Sequence, residues 1–141
     1  MSAQPNVLLG VCGGIAAYKT AELTRRLIKQ GANVQVVMTT NAERFITPLT
    51  LQALSGNAVR TSLWDHAAEL GMGHIELARW ADLVVIAPAS ADCLARLATG
   101  PCNELLTTLC LATTAPTLVA PAIDTGRWQH PATPAHHQPL A

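Results

Sequence analysis

Val7-Leu8-Leu9-Gly10-Val11-Cys12-Gly13-Gly14-Ile15 is the stretch whose reading decides the fold. A short apolar run, Val7 to Gly10, gives way to a glycine pair, and a pattern of helical period then continues to Gly31. Within it Ala17, Ala21, Thr24 and Ile28 recur at steps of four and three with Leu23 and Leu27 beside them, while Lys19, Glu22, Arg25, Arg26 and Lys29 form the wetted side. Gly31 reads as the stop, because glycine enters the left-handed conformation of a helix C-terminus without a steric cost. Val34 to Met38 is rich in β-branched residues and bounded by turn formers, which predicts a second strand. A helical crossover makes it parallel to the first. The chain therefore opens with a β-α-β unit.

The same alternation extends outward. Thr47-Pro48 has the form of an N-cap followed by proline at the first helical position, and the run Leu49 to Leu54 stops at Ser55-Gly56. Leu83 to Ala87 is a fully apolar strand, and Pro88-Ala89-Ser90-Ala91-Asp92 turns it into a helix over Cys93 to Ala98. Glu104 to Leu111 predicts another helix, and Thr117 to Ala120 another buried strand. The fold class is α/β: one Rossmann-like domain with a doubly wound parallel sheet, its strands buried on both faces.

A length of 141 residues corresponds to one domain, 1–141, with 131–141 a loose tail that carries three prolines and no periodicity. Apolar residues make up 50% and charged residues 13%, so disorder is excluded, and part of the surface is expected to be covered by other subunits. Nine basic residues balance nine acidic ones without a basic face, which argues against nucleic acid as a partner. Met1 to Asn6 has no signal-peptide form, and Pro88, Pro116 and Pro121 break the apolar stretches short of a bilayer span, so no membrane is expected and the location is cytoplasmic. The four cysteines form no CxxC pair and are read as reduced thiols rather than zinc ligands.

In an open parallel sheet the ligand crevice lies beyond the carboxyl ends of the strands. Four segments meet there: Gly10 to Ile15, Thr39-Thr40, Pro88 to Ala91, and Pro121-Ala122-Ile123-Asp124. Gly13 and Gly14 open a helix whose free N–H groups favour an anion, although two glycines at such a turn also serve tight packing. The spacing is not GxGxxG, and the second strand ends in Met38-Thr39-Thr40 rather than an acidic residue, which disfavours NAD and points to a mononucleotide such as FMN. Tyr18 stands where a P-loop needs glycine before Lys19-Thr20. His74, in Gly71-Met72-Gly73-His74-Ile75-Glu76-Leu77, is either a general acid or base or a histidine satisfied at a helix end. Asp124 is a binding group or an N-cap. Cys12 has no base beside it in sequence and reads as a packing residue. Phe45, just after the Thr39 loop, is positioned to cover a flat ring. His66, His130, His136 and His137 fall outside the post-strand loops and read as solvated.

The segments Gly10 to Lys19, Phe45 to Thr50, Gln52 to Gly56, Gly73 to Asp82 and Ile86 to Asp92, in this order, resemble the flavin-containing cysteine decarboxylase family. Within it, the resemblance is to the domains acting on 4′-phosphopantothenoylcysteine in coenzyme A biosynthesis. What this implies is a flavodoxin-like FMN protein whose cofactor lies between the subunits of a homotrimer or of a dodecamer built from trimers. Gly13, Gly14, Ile15 and Thr39 would take the phosphate. Phe45 and the loop Pro88, Ala89, Ser90, Ala91 would line the flavin, and His74 would be the catalytic histidine. The substrate would be a small cysteine-derived carboxylate, oxidised at its thiol so that CO₂ can leave. Two departures accompany the resemblance. Asp124 stands where the family has the asparagine that grips the substrate carboxylate, and none of the four cysteines occupies the place of the family's proton-donating flap cysteine. The alternative implied by these departures is a divergent inactive or regulatory subunit that binds FMN and completes a site only in a hetero-oligomer. A flavin prenyltransferase is a third reading, disfavoured by the context of His74.

Overall fold

The computed structural model describes residues 4–61, 73–99 and 105–121, so Asp124, the tail 131–141 and the histidines outside position 74 lie outside the described residues. Among the described residues four parallel strands form one sheet: β1 (Asn6–Val11), β2 (Asn33–Met38), β3 (Leu83–Ala89) and β4 (Thr117–Pro121), in the order β2-β1-β3-β4. The registers Leu9 to Val36 and Leu9 to Val85 place β1 in the middle. Among the described residues five α-helices accompany it: α1 (Thr20–Lys29), α2 (Pro48–Ser55), α3 (His74–Trp80), α4 (Ala91–Thr99) and α5 (Leu105–Ala112). Single 3-10 segments, Ile15–Lys19 and Asn41–Arg44, come after β1 and β2.

Helices cover both faces. Alternate residues of β1 point to opposite sides, so Leu8 joins a core with Leu77, Leu94, Leu106 and Leu109, while Val7, Leu9 and Val11 join Val34, Val36, Met38 and Leu51. Gly10 is small for a packing reason: a Cβ there would lie 2.6 Å from Cδ1 of the fully buried Leu106. On one face α1 lies against α2, and on the other α3 lies against α5. No helix among the described residues is long and apolar enough to cross a membrane.

Local signals behave as their chemistry dictates. The Thr47 hydroxyl accepts the Thr50 N–H at 3.3 Å with Pro48 at the first helical position, and Gly56 closes α2 at φ 76°. Gly31 comes just after α1 at φ 94°. Three expectations are corrected. The inward stripe is Ala17 of the 3-10 segment with Thr20, Leu23, Thr24 and Leu27 of α1, whereas Ile28 is 37% exposed. The buried hydroxyls are tolerated because Thr20 donates to Ala17 O at 2.6 Å and Thr24 to Thr20 O at 2.7 Å. The third strand runs on through Pro88 to Ala89, with an irregularity in its pairing to β4 between Ile86 and Ala89. Finally, β4 is not buried on both faces: it pairs only with β3 among the described strands, and Leu118 is 60% exposed.

Candidate functional site

The strand order reverses direction at β1. The chain moves from β1 outward to β2, then crosses back to β3 on the other side, so the segments leaving β1 and β3 diverge and open a crevice at their carboxyl ends. Cys12 N–H donates to Pro88 O at 3.1 Å and Thr39 N–H to Val11 O at 3.0 Å, which ties the ends of the three strands together beneath it. The crevice has a volume of about 520 Å³, within the roughly 300–1,000 Å³ typical of small-molecule sites.

Its floor and β1 side are Cys12 and Gly13. A Cβ on Gly13 would lie 2.9 Å from the Asn41 carbonyl carbon and closer still to the Asn41 side-chain amide, so only glycine lets the 3-10 segment after β2 approach this turn. Gly14 differs. Nothing lies within 4 Å of a Cβ built there, and its backbone is extended. The packing reading of the glycine pair thus applies to Gly13, while Gly14 borders open space.

Thr39, Thr40, Asn41 and Arg44 come from the end of β2. Thr39 is buried, and its Oγ1 accepts the Ala42 N–H at 3.2 Å, an arrangement that leaves the hydroxyl proton to donate. The opposite wall is Ser90, Asp92, Cys93 and Arg96. Ser90 caps α4, its Oγ accepting the Cys93 N–H at 3.1 Å and its carbonyl the Leu94 N–H at 2.9 Å. Asp92 and Arg96, one turn apart, pair at 3.0 Å. Hydroxyl, amide and guanidinium donors outnumber the single carboxylate, so the crevice is built for an anion bearing a polar chain. Outside the crevice, burial first and then the neighbouring Cys93 push the Cys110 thiol up to about 12, which keeps it protonated.

The expected residues do not all fall in one place. Gly13, Thr39 and Ser90 line one crevice. Gly14 and the 82%-exposed Ile15 follow Gly13 in the chain without lining the crevice, Ala91 begins α4, and Ala89 is buried at the strand end. Pro88 walls a second, mainly apolar cleft of about 210 Å³ with Ala16, Lys19, Ala87, Ala120 and Pro121. Phe45 comes directly after Arg44 and is 45% exposed without lining the crevice. His74 does not line it either. It is the half-buried first residue of α3, whose far end is held at the foot of β1, where the Asn6 side-chain amide donates to Trp80 O at 3.1 Å. A helix of seven residues spans about 10 Å, so His74 is carried toward the carboxyl edge of the sheet. Asn41, Arg44, Asp92 and Arg96 were not anticipated. Their one sequence signal was position, immediately after a strand or within the first turns of the next helix.

A parallel sheet ordered 2-1-3-4 with a donor-lined crevice at its switch point defines a flavodoxin-like α/β fold. A family model described as Flavoprotein matches residues 1–141, and the chain belongs to that family. Coenzyme A biosynthesis bifunctional protein CoaBC of Vibrio cholerae serotype O1 is 61% identical over 134 residues, which cover 95% of this chain and 34% of that protein. The chain spans about a third of the length of the curated relatives it matches. Among solved structures, the FMN-dependent cysteine decarboxylase SpaF superposes with a TM-score of 0.89 at 34% identity, covering 98% of this chain and 79% of that one. A cysteine-to-serine mutant of PPC decarboxylase, complexed with pantothenoylaminoethenethiol, superposes with a TM-score of 0.78 at 35% identity, covering 97% and 77%.

Proposed function

We propose that the chain is an FMN-binding decarboxylase domain that acts on 4′-phosphopantothenoylcysteine in coenzyme A biosynthesis. The observation that carries this reading is the donor-lined crevice at the β1/β3 switch point, in a chain similar to proteins named for that chemistry. Hydroxyls from Thr39 and Ser90 and the open backbone at Gly14 suit the phosphate and ribityl chain of FMN, so the residues present fit the group. When bound, FMN supplies a two-electron acceptor for the substrate thiol and returns the electrons afterwards. In the net reaction the bond from carbon to carboxylate breaks, CO₂ leaves, and a proton takes its place on carbon.

The chain's own residues hold and orient the reactants. Gly13, Gly14, Ile15 and Thr39 hold the phosphate end, and Phe45 with Pro88, Ala89, Ser90 and Ala91 bounds the ring. His74 moves a proton at the reacting substrate. Because His74 does not line the crevice of its own subunit, the reading places it at a site shared between subunits of a homotrimer or dodecamer. Ile15, Tyr18, Phe45 and Leu49, at 82%, 61%, 45% and 71% exposure, are the apolar side chains such an assembly would cover. A cytoplasmic location follows from the biosynthetic role. The similarity to decarboxylases supports an active domain over an inactive or regulatory subunit.

Asp124 is proposed to meet the substrate carboxylate, where two like charges oppose one another. Asp124→Asn is expected to tighten substrate binding about tenfold, since a repulsion is exchanged for an amide donor. Titrating flavin-loaded protein with substrate and monitoring the flavin absorbance band checks this. Equal affinities would remove Asp124 from the substrate site.

A further inference from the structure

Arg44 and Arg96 reach the crevice from its two sides, one from the 3-10 segment after β2 and the other from α4 after β3. They differ in what holds them. Arg44 has no ion pair or hydrogen bond with any described residue, whereas Arg96 is held 3.0 Å from Asp92 and has a further interaction besides. In that pair the carboxylate faces water at 77% exposure and the guanidinium, at 38%, lies against the protein, so Asp92 is the partner that can swing away at little cost. Among the described residues that line the crevice, Arg44 and Arg96 are the positive groups and Asp92 the negative one. A phosphate monoester brings the charge that would occupy both guanidiniums, through charge-assisted hydrogen bonds that neutral hydroxyls cannot match.

We propose that Arg44 and Arg96 form a clamp on the phosphate of the bound flavin, selecting FMN over unphosphorylated riboflavin, with Asp92 holding Arg96 until the phosphate displaces it. This rests on the reading of the crevice as a flavin site. A clamp of this kind adds affinity only to the phosphorylated form, because riboflavin offers the guanidiniums nothing ionic to bind. It also weakens with salt, since Arg44 is exposed.

The test is the dissociation constant of FMN and of riboflavin, read by quenching of flavin fluorescence on the whole chain stripped of flavin. Arg44→Gln and Arg96→Gln are each expected to weaken FMN about tenfold and to leave riboflavin unchanged. Arg44→Lys should retain most of the FMN affinity, because an ammonium still supplies a point charge. Asp92→Asn should tighten FMN a few-fold without affecting riboflavin. Equal loss for both flavins, or no loss for either, overturns the clamp. The second of these outcomes is also the one expected if the arginines instead serve a phosphate on the substrate. Binding of neither flavin by the unaltered chain overturns the flavin-site reading and the clamp with it.

Discussion

His74→Asn is expected to lower the rate of CO₂ release by roughly 10²–10⁴-fold, the range a positioned general acid or base contributes, while bound flavin and thermal stability stay as they were. Flavin absorbance, a melting curve and turnover on one preparation separate the possibilities. A histidine that served only to satisfy the start of α3 would show the reverse, a lower melting temperature with turnover per folded molecule retained. His74 leads a helix anchored at its other end by Asn6, so a side-chain exchange at position 74 leaves that anchor in place. Retained turnover would take His74 out of the catalytic assignment.

A second large effect is expected at Gly13. A Cβ there meets the Asn41 backbone at 2.9 Å, and backbone cannot swing aside as a side-chain end can. Gly13→Ala must push the Asn41–Arg44 segment away from the β1 turn, at a cost of about 1–3 kcal/mol, and it displaces Thr39, Asn41 and Arg44 relative to the opposite wall. Flavin affinity is expected to fall more than tenfold, with a lower melting temperature. Gly14→Ala is the contrast: open space surrounds its Cβ, so stability should change by less than about 0.5 kcal/mol, while FMN affinity falls because the methyl group occupies the approach to the backbone. Unchanged FMN affinity in Gly14→Ala would mean that the phosphate lies elsewhere in the crevice. Equal destabilisation by both substitutions would contradict the division between packing at Gly13 and ligand access at Gly14.

Much of the architecture is legible along the chain because its signals are local. The β1-α1-β2 opening is written in a β-branched period and a glycine stop, and Thr47-Pro48 with Gly56 brackets α2 by capping chemistry that needs no tertiary context. Where tertiary position decides, the sequence is silent. Ile15–Lys19 is a 3-10 segment and α1 starts only at Thr20, and of the expected stripe Ala17 and Thr24 are buried while Ile28 is exposed, with Thr20 buried beside them. β4 carries an apolar strand pattern yet stands at the edge of the described strands, a fact set by strand order rather than by its own residues.

The site divides in the same way. Strand ends identify the loops, so Gly13, Thr39 and Ser90 are found by looking just past the end of each apolar run. Arg44, Asp92 and Arg96 lie further along, in the first turns of the next helical segment. Their side chains enter the crevice because of how the 3-10 segment and α4 are set on the sheet, and in sequence an i,i+4 Asp-Arg pair looks like any solvated helix face. The clamp is a consequence of the fold rather than of a motif.

Decarboxylation of a cysteinyl carboxylate by the flavin-loaded chain is tested most directly by mass spectrometry of 4′-phosphopantothenoylcysteine after incubation with the purified protein. The flavin absorbance of the same sample shows that the site is loaded. A product lighter by CO₂, formed with the flavin present and lost in His74→Asn, is the expected result. Unchanged substrate beside tightly bound FMN would contradict the assignment of this chain as a decarboxylase.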